Sequence, residues 1–103
     1  MAEEQAIQRK GDEYFKQGQY DLAIEWYKKS LDYVYKHGGH KWSCHQALFE
    51  VYEKADRYEE ALKELDWLIA HASEKGIIEL GKRREQLQKL LEQNKNLQNK
   101  TNE

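Results

Sequence analysis

Gly11-Asp12-Glu13-Tyr14-Phe15-Lys16-Gln17-Gly18-Gln19-Tyr20-Asp21-Leu22-Ala23-Ile24-Glu25-Trp26-Tyr27-Lys28-Lys29-Ser30-Leu31 is the stretch that decides the fold. Upstream of it, Ile7 joins Gly11, Tyr14 and Phe15 on one face of a helix, and Gln17-Gly18-Gln19 then breaks the pattern. From Tyr20 the apolar residues Ala23, Ile24, Tyr27, Leu31 and Val34 recur at three- and four-residue steps, the stripe of a second helix. Gly38-Gly39 ends it, because glycine readily takes the left-handed conformation beyond a helix C-terminus. The unit is a helical hairpin.

The hairpin recurs. A shift of 38 residues aligns Gln8 with Gln46, Tyr14 with Tyr52, Lys16 with Lys54, Tyr20 with Tyr58, Ala23 with Ala61 and Gly38 with Gly76. These identities fall on aromatic, small and glycine positions, where packing and chain reversal restrict the choice. The second unit carries Leu48, Phe49 and Tyr52, then Tyr58, Ala61, Leu62, Leu65, Leu68 and Ile69. Asp56 followed by Glu59 reads as a capping box for its second helix, and Gly76 as the stop. Ile77, Leu80, Leu87 and Leu91 share a face of a third segment, flanked by Ile78 and Leu90. Repeat arrays need a terminal helix with one polar side. Helices are expected near 4–17, 20–36, 41–54, 57–74 and 77–97.

Residues 11–31 resemble one tetratricopeptide repeat at nearly every characteristic position, and the likeness extends over about residues 4 to 75. The resemblance implies an all-α fold: two antiparallel hairpins (4–37 and 41–75) plus a capping helix (77–98), a right-handed α-solenoid fragment, with 99–103 a polar tail. It implies that Gly11, Ala23 and Ala61 are small because helices cross closely there. Tyr14, Tyr20, Tyr27, Tyr52, Tyr58 and Leu65 would fill the surrounding space. Phe49 stands where the second repeat would have its first-helix glycine, and the period exceeds the usual 34 by about one helical turn. A three-helix microtubule-interacting-and-trafficking bundle is the rival fold, and the second hairpin argues against it.

Composition narrows the function. The 103 residues contain no proline, 39% hydrophobic and 35% charged residues, and a net charge of −2. Long uninterrupted helices suit that profile, and there is no excess of positive charge for nucleic acid. Lys82-Arg83-Arg84 sits beside Glu79 and Glu85 and reads as a solvated face. No run approaches the ~18 apolar residues of a membrane span. The lone Cys44 and the acidic start without a secretory apolar run point to a reducing, cytoplasmic setting.

Chemistry finds little footing. His37, His40, Cys44 and His45 lie close in sequence but match no standard zinc spacing, so no metal or cofactor is expected. Asp12, Glu50 and Glu53 are weighed as an acid–base pair and read as solvated carboxylates, because nothing nearby suggests a buried setting. No enzyme is expected. Trp67, beside Asp66 on a helix whose stripe is Leu65, Leu68 and Ile69, is expected to be partly exposed, and an exposed Trp is a candidate contact site.

In the family it resembles, the first helices of successive hairpins line a concave groove that holds a peptide or a helix. Carried over, that lining is Gln5, Gln8, Asp12, Phe15 and Lys16, then Ser43, Gln46, Glu50, Glu53 and Lys54. It is polar, with Phe15 the sole apolar anchor. The resemblance therefore implies an adaptor or scaffold binding another protein. Acidic chaperone tails are disfavoured, because Gln8 and Asp12 replace two clamp residues, Ala47 a third, and Gly81 and Glu85 stand at the clamp's basic positions. The alternative function is a self-associating structural module, a homodimer paired through Leu90, Leu91 and Leu97 of the last helix.

Overall fold

Two chain reversals 38 positions apart are built in the same way. At the first, the Gln19 N–H donates to the Tyr14 carbonyl (2.9 Å) and the Gly18 N–H to that of Phe15 (3.0 Å). At the second, Arg57 donates to Tyr52 (2.8 Å) and Asp56 to Glu53 (3.1 Å). Both are Schellman motifs, in which a left-handed residue lets two N–H groups turn back onto orphan carbonyls. Gly18 has φ 75° and Asp56 φ 59°. Asp56 is thus the stop of one helix rather than the capping box of the next. The N-cap position falls on Arg57, which makes no side-chain cap and instead grips Glu60 through two bonds of 2.8 and 2.6 Å.

The computed structural model describes residues 2–101, with side chains described over residues 3–95 apart from Glu4. Five helices follow in order: α1 Ala2–Lys16, α2 Tyr20–His37, α3 Lys41–Lys54, α4 Tyr58–His71 and α5 Glu74–Thr101. No strand occurs among the described residues. The expected polar tail at 99–103 is helical through Thr101, and positions 102 and 103 lie outside the described residues. The other difference lies at the last junction. α4 ends three residues early, and Gly76 does not close it. Ala72 turns extended (φ −86°, ψ 159°), and Ser73 starts α5 instead. Its Oγ accepts the Gly76 N–H at 3.3 Å and its carbonyl the Ile77 N–H at 2.9 Å. A serine hydroxyl that accepts an orphan N–H favours a helix start at this position.

Each helix packs on the next. The core draws Ala23, Ile24 and Tyr27 from α2, Leu48, Phe49, Val51 and Tyr52 from α3, Ala61, Leu62, Leu65 and Leu68 from α4, and Leu87 from α5. Ala23 and Ala61 are both 0% exposed, so the two repeats cross at equivalent points. Gly11 is buried directly against the Tyr27 ring. Phe49 fills the space that a glycine would leave in the second hairpin and is itself buried. The radius of gyration is 15.1 Å, above the ~13 Å of a compact domain of this length, as stacking in one direction requires.

α5 seals the array. Leu87 is buried and Leu80 and Leu91 are packed against the core, while Arg84 bonds Asp66 of α4 at 2.7 Å. The opposite side carries Lys82, Glu85 and Lys89, all exposed, together with Ile78. Ile77, expected on the inner face, is also exposed. At the other end Trp26 is covered by two lysines, with Lys10 Nζ 4.7 Å and Lys29 Nζ 4.3 Å from its ring centroid.

Candidate functional site

α1 and α3 lie side by side. Gln8 Nε2 donates to Ser43 Oγ at 2.9 Å, and its carbonyl oxygen accepts the Cys44 thiol at 3.9 Å. A depression of about 300 Å³ opens over this pair, lined by Gln5, Gln8, Arg9, Asp12, His40 and Ser43. A second, of about 180 Å³, shares Asp12 with it and is lined further by Phe15, Lys16, Tyr27 and Glu50. A third, of about 270 Å³, lies one turn beyond, where Glu53, Lys54 and Tyr58 meet Arg83, Leu87 and Leu90 of α5. The helix period explains the row: Ser43, Gln46, Glu50, Glu53 and Lys54 recur at three- and four-residue steps, as do Gln5, Gln8, Asp12 and Phe15.

The ten residues expected at the groove are not equally available. Gln46 and Glu50 are exposed and make no hydrogen bond or ion pair among the described residues. The same holds for Lys16 and Lys54. Asp12 Oδ1 accepts the Tyr27 hydroxyl. The phenol is buried, and its pKa is raised well above the ordinary tyrosine value. Burial is the main cause, followed by the bond to Asp12 and the negative charges of Asp12 and Glu50. Phe15 is half-buried, edge-on to Tyr20 at 5.7 Å. Glu53 is bridged by Arg83, and its Oε2 is buried with no hydrogen-bond partner. Of the three carboxylates weighed for acid–base work, Asp12 and Glu50 line one depression, while Glu53 is bridged by Arg83. Arg9 and His40 also line the face, and so do Arg83 and Leu90; the last two escaped the sequence reading of the groove because the register of α5 against α3 is a tertiary matter.

The histidine and cysteine cluster dissolves. Cys44 is 0% exposed, with Sγ 3.4 Å from Ser30 Oγ. His45 Nδ1 lies 2.6 Å from Glu64 Oε2 and its Nε2 3.1 Å from the Tyr35 hydroxyl. Among the described residues no three metal-binding side chains converge. Trp67 is half-buried. It is sandwiched between His45 (3.8 Å) and His71 (4.0 Å), and the aromatics exposed beside it are Tyr35 and Trp42. The basic run is divided as well: Arg83 turns to Glu53 and Arg84 to Asp66. No described helix is long and apolar enough to cross a membrane.

Residues 11–34 match the family model described as TPR repeat, the tetratricopeptide repeat. Neither the curated proteins nor the solved structures contain a match.

Proposed function

We propose that this chain, which carries a tetratricopeptide repeat across its first hairpin, holds a peptide or helical segment of a partner protein on the face built by α1, α3 and α5. Tetratricopeptide repeats are in general non-enzymatic protein-interaction modules. The observation that carries the proposal is the row of depressions on that face, together with the polar side chains of Gln46, Glu50, Lys16 and Lys54 that no intramolecular bond engages. Amide and carboxylate groups held by rigid helices can bond a partner's backbone and side chains without being reorganised first. An acidic chaperone tail remains a poor fit, since Asp12 and Glu50 would repel it.

Self-association through α5 is the competing reading. Leu90 is 42% exposed, but it lines the depression beside α3 rather than the outer side of α5. The Leu97 side chain lies outside the described residues. A photo-crosslinking residue at Gln46 tests the proposal against the same residue at Lys63, which is exposed on α4. The groove requires crosslinks to a partner from position 46 and not from 63. Self-association requires instead that Leu90→Lys with Leu97→Lys convert an oligomer to monomers in light scattering while the crosslinks stay unchanged.

A further inference from the structure

We infer that the partner's segment places a lysine or arginine side chain between Asp12 and Glu50, so that the face selects basic rather than acidic sequences. The inference rests on the groove reading and specifies its occupant. The middle depression brings a carboxylate of α1 and a carboxylate of α3 to the same 180 Å³ space. Two other side chains there complement a cation. The Tyr27 hydroxyl donates to Asp12 Oδ1, which holds that side chain in place while it stays exposed. Phe15 offers an apolar ring wall, against which an aliphatic stem or a guanidinium plane packs favourably.

Within this depression the competing charge is Lys16, which makes an ion pair with neither carboxylate; Arg9 and Lys54 lie in the depressions on either side. The nearby Glu53 is already matched by Arg83, so the negative charge left for a partner belongs to Asp12 and Glu50. Next along the row, the exposed Leu90 and the half-buried Tyr58 supply apolar surface. A segment with a basic residue followed by an aliphatic one is therefore complementary in charge and in polarity.

A random peptide display library panned on the intact chain supplies the probe. The enriched sequence is then synthesised with a fluorescent label and titrated by anisotropy. Enrichment of lysine or arginine beside an aliphatic residue is expected. Affinity should drop about tenfold or more with Glu50→Lys, rise with Lys16→Glu, and weaken with added salt. Glu50 and Lys16 are exposed and unbonded, and unchanged circular dichroism would show that both variants fold. Neutral or acidic peptides that respond to Gln46→Arg but not to Glu50→Lys would overturn this inference and leave the groove standing. Peptides indifferent to all three substitutions, or no enrichment, would overturn the groove reading as well.

Discussion

A methyl group at Gly11 is the sharpest probe of the first helix crossing. A Cβ built there would lie 2.6 Å from Tyr27 Cε1, 2.7 Å from Cδ1 and 3.3 Å from Cγ. These atoms form the side of the ring, not a flexible tip. The ring is 3% exposed and its hydroxyl is tied to Asp12, so it cannot swing aside. Overpacking of this kind costs roughly 1–3 kcal/mol. Against it stands the better helix propensity of alanine, worth roughly 1 kcal/mol in a helix interior. Gly11→Ala should therefore destabilise by roughly 0–2 kcal/mol. Gly81 is the control, a glycine inside α5 whose added Cβ would meet nothing within 4 Å. Gly81→Ala should stabilise by roughly 0.5–1 kcal/mol. Urea unfolding of both variants isolates the clash as the gap between them, and thermal unfolding should part them by about 4–8 °C per kcal/mol. If the two substitutions stabilise alike, Tyr27 does not pack on Gly11 and the crossing is elsewhere.

Ala23→Leu and Ala61→Leu should each cost roughly 1–3 kcal/mol in the same assay, because both alanines are fully buried where helices meet; a neutral result at either would break the equivalence of the repeats. Gly18→Ala should lose about 1 kcal/mol, since φ 75° suits glycine and strains a residue with a Cβ, and an unchanged urea midpoint would contradict the Schellman turn. Alkaline stability tests the site. A phenol whose pKa is raised by folding adds stability that is whole below the ordinary value of 10.0 and is lost as pH climbs toward the folded value. The fall should reach about 1.4 kcal/mol per pH unit for Tyr27, and Tyr27→Phe should flatten it by that amount in urea titrations above pH 10; an identical slope would mean that the hydroxyl is neither buried nor bonded to Asp12.

The hairpins could be read from residues alone because their information is local. Apolar spacing marks α2 and α4, glycines or small polar turns mark their ends, and a period of 38 sets Ala23 over Ala61. Where two local signals competed, only the folded chain chose. Asp56 could cap α4 or close α3, and the left-handed position that Gly18 holds in the first repeat drew it to the latter. Gly76 could stop α4, but it lies inside α5, where its N–H is taken by the Ser73 hydroxyl at that helix's start. Half of the candidate groove was likewise visible as faces of α1 and α3. The other half, Arg83 across Glu53 and Leu90 beside Tyr58, depends on how α5 settles against α3. A helical repeat states in its sequence which side of each helix is apolar. How far one helix slides along the next depends on the fit of side chains distant in the chain, so the tertiary structure alone decided which polar groups stay open for a partner.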